Sequence, residues 1–242
     1  NISGEVVGIN TAMVKGGQGI GFAIPINLAK EISRQLAQGG KVERGFLGVG
    51  AQTLTPALRR ALSLPDEVKG ALVASIIPDS AAAKAGIAPA DLIVSIGGNK
   101  VENHRELLKE VAKISPGSRT DIKVLRDGKE KTIKLTLDSR PVETAARSEK
   151  PTAQPGERQY RLGLGVLDQG TAEETRVVVA EVLPNSPAAR AGLHRGDRIH
   201  AVGRKAIRNA AEFHQLVEQT PKGALALLVE QEGRSTYLTI EE

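Results

Sequence analysis

Cysteine and tryptophan are absent from this chain of 242 residues, and methionine occurs once. Without cysteine there is no disulfide, no thiol nucleophile and no thiolate metal site, and the redox compartment is left unmarked. The aromatic residues are Phe22, Phe46, Phe213, Tyr160 and Tyr237, so any core must be built from Val, Ile, Leu and Ala. So few rings leave little on which nucleobases could stack. The net charge is +5 and the pI near 9.5, yet acids and bases are interspersed along the chain, so no nucleic-acid partner is expected. No apolar run is long enough to span a bilayer, and the first residues lack the basic and apolar regions of a signal peptide. No closely spaced His/Asp/Glu set suggests a metal, and no cofactor is expected.

What is present is a repeat. The run Pro78-Asp79-Ser80-Ala81-Ala82-Ala83-Lys84-Ala85-Gly86-Ile87 returns as Pro184-Asn185-Ser186-Pro187-Ala188-Ala189-Arg190-Ala191-Gly192-Leu193, 106 residues later. Asp91, Gly97, Val101 and Asn103 return in the same register as Asp197, Gly203, Ile207 and Asn209. Solenoid units repeat at roughly 20 to 50 residues, so a period this long means two copies of a whole domain.

Five segments follow. Residues 1–26 read as strand, turn and strand, with Gly16-Gly17 at the turn and Pro25 at the end; a lone hairpin is marginal in water, so this is expected to be the edge of a larger domain. Residues 27–40 read as a connecting helix with Asn27 as its N-cap, ended by Gly39-Gly40. Residues 41–138 form the first repeat, with strands near 47–53, 71–76 and 92–96, helices near 56–62 and 105–114, and a closing hairpin turned by Asp127-Gly128. Residues 139–158 carry Pro141, Pro151 and Pro155 among small and charged residues and read as a flexible linker. Residues 159–242 form the second repeat, in which the stretch from Gly165 to Val178 is shorter than that from Gly48 to Leu72, so the short helix carrying Leu58 and Leu62 is expected to be missing or reduced. The fold class is mainly β with some helix.

Each repeat opens with a basic residue, apolar residues and glycine: Arg44-Gly45-Phe46-Leu47-Gly48-Val49 and Arg161-Leu162-Gly163-Leu164-Gly165-Val166. Such a loop exposes successive backbone N–H groups and forms a nest for an anion, a peptide carboxylate included. The strand after it offers an open edge to which an extended peptide adds as a further strand. A side-chain pocket is expected along one helix stripe, His104, Leu108 and Val111, whose counterparts are Ala210, His214 and Val217. Leu107 and Ile114 then face the core. Spacing alone favours the plainer reading that every apolar residue of this helix is core; the anion loop at the right distance upstream, occurring twice, shifts the balance toward a pocket. Lys41, Arg44, Arg158 and Arg161 either help hold the carboxylate or are solvated surface charge. Asp91 and Asp197 each precede a strand after a Gly-Ile/Leu turn, where an acid accepts backbone N–H groups.

The loop, the Pro-x-Ser-x-Ala-x-x-Ala-Gly-Ile/Leu segment with its following Asp-x-Ile, and the late helix resemble the circularly permuted PDZ domains of bacterial HtrA/Deg proteases. Gly4-Glu5-Val6-Val7-Gly8-Ile9-Asn10-Thr11-Ala12 and Gly19-Ile20-Gly21-Phe22-Ala23-Ile24-Pro25 resemble the last strands of that family's trypsin-like protease domain. The resemblance implies two PDZ domains, each a partly open β-barrel or sandwich with helices, preceded by barrel strands in which Asn10, Thr11, Ala12, Met13, Gly19, Ile20, Gly21 and Phe22 would border a substrate cleft. The family's Gly-Asn-Ser-Gly-Gly-Pro nucleophile motif does not occur in the sequence, and His104, His194, His200 and His214 all lie in the repeats, so no catalytic residue is assigned. The resemblance further implies a periplasmic quality-control protease and chaperone that captures C-termini of misfolded proteins and assembles from trimers. Three readings stand: a tandem PDZ region that binds peptides without cleaving them, one fragment of an active serine endopeptidase, or modules that serve assembly alone.

Overall fold

The computed structural model describes residues 1–13, 21–39, 42, 44–139, 162–171, 174–221 and 223–241. They fall into two compact units, 1–44 and 45–242.

In the first unit β1 (Gly8–Met13) and β2 (Gly21–Pro25) pair antiparallel, with Ile9 opposite Ile24 and Met13 opposite Gly21. The hairpin closes no barrel among the described residues, and Val6, Val7, Ile9 and Phe22 remain exposed. Helix α1 (Ile26–Gly39) starts one residue before the cap expected at Asn27. The reason is local: the Ile26 amide donates to the Val7 carbonyl, so the strand runs straight into the helix and Asn27 lies inside its first turn. The Gly16-Gly17 turn falls outside the described residues.

The second unit holds both repeats. The first comprises β3 (Gly45–Phe46), β4 (Val49–Thr53), α2 (Pro56–Ala61), β5 (Ala71–Ile76), α3 (Ala81–Lys84), β6 (Leu92–Ile96), β7 (Asn99–Lys100), α4 (His104–Lys113), β8 (Arg119–Arg126), β9 (Lys129–Thr136) and β10 (Asp138–Ser139). After residues 140–161, of which nothing is described, come β11 (Leu164–Thr171), β12 (Glu174–Val182), α5 (Pro187–Arg190), β13 (Arg198–Val202), β14 (Lys205–Ala206), α6 (Ala210–Gln219), β15 (Ala224–Gln231) and β16 (Arg234–Glu241). The sheets run β4-β5-β6-β8-β9 and β11-β12-β13-β15-β16. The same local chemistry starts the helices of both: Ser80 and Ser186 cap α3 and α5, and Asn103 and Asn209 cap α4 and α6. Asp127 and Gly128, both at positive φ (52° and 74°), make the two-residue turn between β8 and β9.

Each repeat has its own aliphatic core, around Val73, Ile93, Leu107 and Ile122 in the first and around Val179, Ile199, Phe213 and Leu227 in the second. A third cluster joins them. Leu54, Leu58, Leu62, Leu72 and Leu92 of the first repeat pack on Ala201, Ala226, Leu228 and Tyr237 of the second. The strands record this. In β8 the buried Thr120, Ile122 and Val124 alternate with exposed Arg119, Asp121 and Lys123, whereas β15 is buried on both faces from Leu225 to Val229. Helix α2, which has no counterpart among the described residues of the second repeat, covers that outer face.

Burial in this seam pushes the Tyr237 hydroxyl up to about 12 from 10.0. Below pH 10 the ring is neutral folded or unfolded; above it the unfolded chain ionises first, so this contribution is lost as pH rises from about 10 to 12. The linkage amounts to about 2–3 kcal/mol. Tyr237→Phe is therefore expected to flatten the alkaline limb of the stability profile, measured by urea titration at pH 9 and pH 11; parallel profiles would exclude this origin.

Candidate functional site

The opening loop of the first repeat is held by its carbonyls. The Leu47 carbonyl accepts from the Ala82 amide at 2.9 Å, and the Gly48 carbonyl accepts from the Ile77 amide at 2.8 Å. In a trans peptide C=O and the next N–H point oppositely. The Gly48 N–H is thus turned away from α3, and the Val49 N–H away from β5. Among the described residues strand β4 has only β5 as a ladder neighbour, so the second of these amides faces its open edge.

Gly48 stands at φ +79°, and a Cβ there would overlap Ser80. Ser80 caps α3 through the Ala83 amide at 3.3 Å and donates to the Gly48 carbonyl at 3.4 Å. This serine, buried and shared by helix and loop, was not singled out from the sequence; its recurrence in both Pro-x-Ser runs was the available signal.

The second repeat builds the same loop two residues earlier than the sequence comparison placed it. The Leu162 carbonyl accepts from Ala188, and the Gly163 carbonyl from Leu183; Gly163 has φ +67° and abuts Ser186. The counterpart of Gly48 is therefore Gly163, and the outward amides are those of Gly163 and Leu164. Gly165 pairs with Glu181 inside β11, immediately before a bulge at Val166, as Gly50 does before the bulge at Ala51. The offset differs because Ser80 follows Gly48 by 32 residues and Ser186 follows Gly163 by 23, the segment around α2 making the difference.

Helix α4 faces β4. His104 Nδ1 is hydrogen-bonded to Thr53 Oγ1 at 2.7 Å, which fixes the face; Leu108, one turn on, lies beside the edge strand and is 64% exposed. Val111 lies about 60° around the helix from Leu108, toward Leu107, and is buried in the core. It can form the floor of a pocket but not its open wall. Leu47 and Val49 pack on the same cluster, while Phe46 pairs with Asp138 through β3 and β10. In the second repeat Asp168, at the end corresponding to Thr53, accepts from the Ala210 amide at 2.6 Å. His214 is half-buried, edge-on to Phe213 at 5.5 Å, and Val217 is buried in the core.

Asp91 and Asp197 are turn acids: they accept from the Ala88 and His194 amides at 2.9 and 2.8 Å. Arg44 is exposed; Lys41, Arg158 and Arg161 lie outside the described residues. Asn10, Thr11, Ala12 and Met13 lie on β1 and Gly21 and Phe22 on β2; Gly19 and Ile20 are outside the described residues. Among the described residues no group of three His, Asp or Glu is placed to hold a metal.

Two PDZ-domain family models match the chain, over residues 45–137 and 178–231. A probable periplasmic serine endoprotease, DegP-like, from Hahella chejuensis is 35% identical over 251 residues, covering 100% of this chain and 53% of the relative. The periplasmic pH-dependent serine endoprotease DegQ of Escherichia coli K12 is 33% identical over 241 residues, covering 98% of this chain and 51% of its own length. The chain spans about half the length of the curated relatives it matches. Among solved structures, the HtrA-type protease AlgW with decapeptide aligns with a TM-score of 0.54 at 38% identity, covering 58% of this chain and 44% of that one. No helix among the described residues is long and apolar enough to cross a membrane.

Proposed function

Because the chain carries two PDZ domains and is homologous along its length to periplasmic serine endoproteases of the DegP and DegQ kind, we propose that it is a peptide-capturing region of such a protein, acting in the periplasm on the C-termini of misfolded proteins. The observation that carries this reading is the pair of outward amides, Gly48 and Val49, at the head of an open strand edge beside exposed Leu108. A carboxylate seated on the two amides would leave the peptide to pair along β4, its last side chain lying against Leu108. Charge-assisted hydrogen bonds are worth about 1.5–3 kcal/mol, so amidating a peptide's C-terminus is expected to weaken binding by about tenfold or more. Fluorescence titration of acid and amide forms of one hydrophobic peptide measures this; equal affinities would remove the loop as anchor.

The two grooves are proposed to be unequal. Where the first offers Leu108, the second offers His214 and forfeits about 1–2 kcal/mol of apolar contact. Leu108→His is expected to lower affinity by about tenfold to thirtyfold. An unchanged affinity would refute the asymmetry. Cleavage is not assigned to these residues: with no nucleophile motif in the sequence, a fluorophosphonate is expected to label no serine of the chain, and labelling would favour the endopeptidase reading. Assembly into trimer-based cages belongs to the same proposal at the level of the longer protein.

A further inference from the structure

The strand that lines the first groove has a second face. Alternate residues of a strand point to opposite sides, and β4 uses both. Val49 and Ala51 pack on the first domain's core and Thr53 reaches His104. Gln52 points the other way, into the second domain. Its Oε1 accepts from the Tyr237 amide at 2.7 Å and from the Thr236 hydroxyl at 2.9 Å, and its Nε2 donates to the Tyr237 carbonyl at 3.1 Å. Tyr237 lies on β16, the outer strand of its sheet, whose N–H and C=O groups would otherwise form an open edge. The side-chain amide of Gln52 thus does for β16 what a partner strand would do.

From this geometry we infer that Gln52 is a positioning residue for the first peptide groove, with the second PDZ domain acting as a brace on the back of β4. Strand β4 needs one. Among the described residues it has a single ladder neighbour, and its register breaks between Gly50 and Ala51, within the stretch a peptide would pair with. A soft edge strand must be ordered when the ligand arrives, and that cost weakens binding. Docking meets it beforehand, through Gln52 and through Leu54 and α2 just downstream, buried against Leu228 and Tyr237. By linkage, a peptide in the groove must favour the docked arrangement by the same factor that docking favours the peptide. This inference rests on the first groove being the peptide site.

The test uses the full chain and a labelled decapeptide ending in aliphatic residues with a free carboxylate, binding being read at the Gly48 and Val49 amides by NMR. Gln52→Ala removes the latch from the first domain's side. Leu228→Asp opens the seam from the second domain, where it touches no groove residue. Both are expected to weaken binding by about threefold to tenfold while the preference for acid over amide peptide persists, and saturating peptide should make the wild-type chain more compact in small-angle scattering. Hydrogen exchange at β5 and β6 checks that the first domain remains folded. If Leu228→Asp separates the domains and affinity at Gly48 and Val49 is unchanged, the brace is overturned while the groove stands. Loss in Gln52→Ala alone also overturns it, since the second domain then plays no part. Should the wild-type chain show no acid preference, the groove reading fails and the brace falls with it.

Discussion

Arg126→Met is expected to destabilise the first PDZ domain by about 3–5 kcal/mol, the cost of leaving a buried carboxylate without its cation. Asp91 is 1% exposed at its side chain. Arg126 grips it with two bonds of 2.6 Å, from Nε to Oδ1 and from Nη2 to Oδ2, and Nη2 also donates to the Gly86 carbonyl at 2.7 Å. The hydrogen bond to Asp91 is also the main reason the guanidinium is held above its usual pKa. Methionine fills a similar volume and supplies none of this. In the second domain an uncharged side chain takes this place among the described residues: Gln231 Nε2 donates to Asp197 at 2.6 Å and to the Gly192 carbonyl at 2.9 Å. Gln231→Met should therefore cost only about 1–3 kcal/mol, and Arg126→Gln should recover part of what Arg126→Met loses. Urea unfolding of the full chain, with hydrogen exchange to report each domain separately, distinguishes these outcomes. A loss below about 1 kcal/mol for Arg126→Met would mean that Asp91 finds another partner.

Gly48→Ala is expected to abolish peptide binding at the first groove and to cost several kcal/mol of stability. Two effects combine. At φ +79° an L side chain is strained by about 1–2 kcal/mol, and the new Cβ would overlap Cβ and Oγ of Ser80, which is backed by the start of α3 and cannot withdraw cheaply; overpacking of this kind costs about 1–3 kcal/mol more. Relief requires the loop to move, and movement re-aims the Gly48 and Val49 amides together. Gly86→Ala is the control, since Gly86 has φ +74° but nothing within 4 Å of the added Cβ, so it carries the backbone strain alone. Gly163→Ala should behave like Gly48→Ala for the second loop, because its Cβ would overlap Ser186. If Gly48→Ala proves no worse than Gly86→Ala in stability and in peptide affinity, the close approach of Ser80 does not shape the loop.

Much of the architecture was legible because it is written in short-range chemistry. Asp127-Gly128, read as a turn, supplies the two positive φ values a tight hairpin requires, and the repeated Pro-x-Ser runs and Asn103 and Asn209, read only as repeat positions, prove to be the caps of α3, α5, α4 and α6. Each of these depends on residues within three or four positions, so sequence suffices. The missing counterpart of α2 was visible as a shortened segment. Its purpose was not, although β15 carried a readable trace: Ala224-Leu225-Ala226-Leu227-Leu228-Val229 has no polar alternation, and a strand apolar on both faces needs cover on both.

What the sequence determined by itself is therefore the duplication, the main strands, helices and closing hairpin of the first repeat, and the kind of loop that opens each repeat, since turns and periodicity act locally. Tertiary structure alone decided which glycine fills the loop position of the second repeat, because Gly163 and Gly165 differ only in which one meets Ser186, 23 residues away. It also decided that Val111 is covered while Leu108 is open, a matter of about 60° around one helix. The joining of the repeats was likewise beyond the sequence. Gln52 meets Tyr237 across 185 residues, and no local rule can anticipate a contact that exists only once both sheets have formed and their outer faces have met.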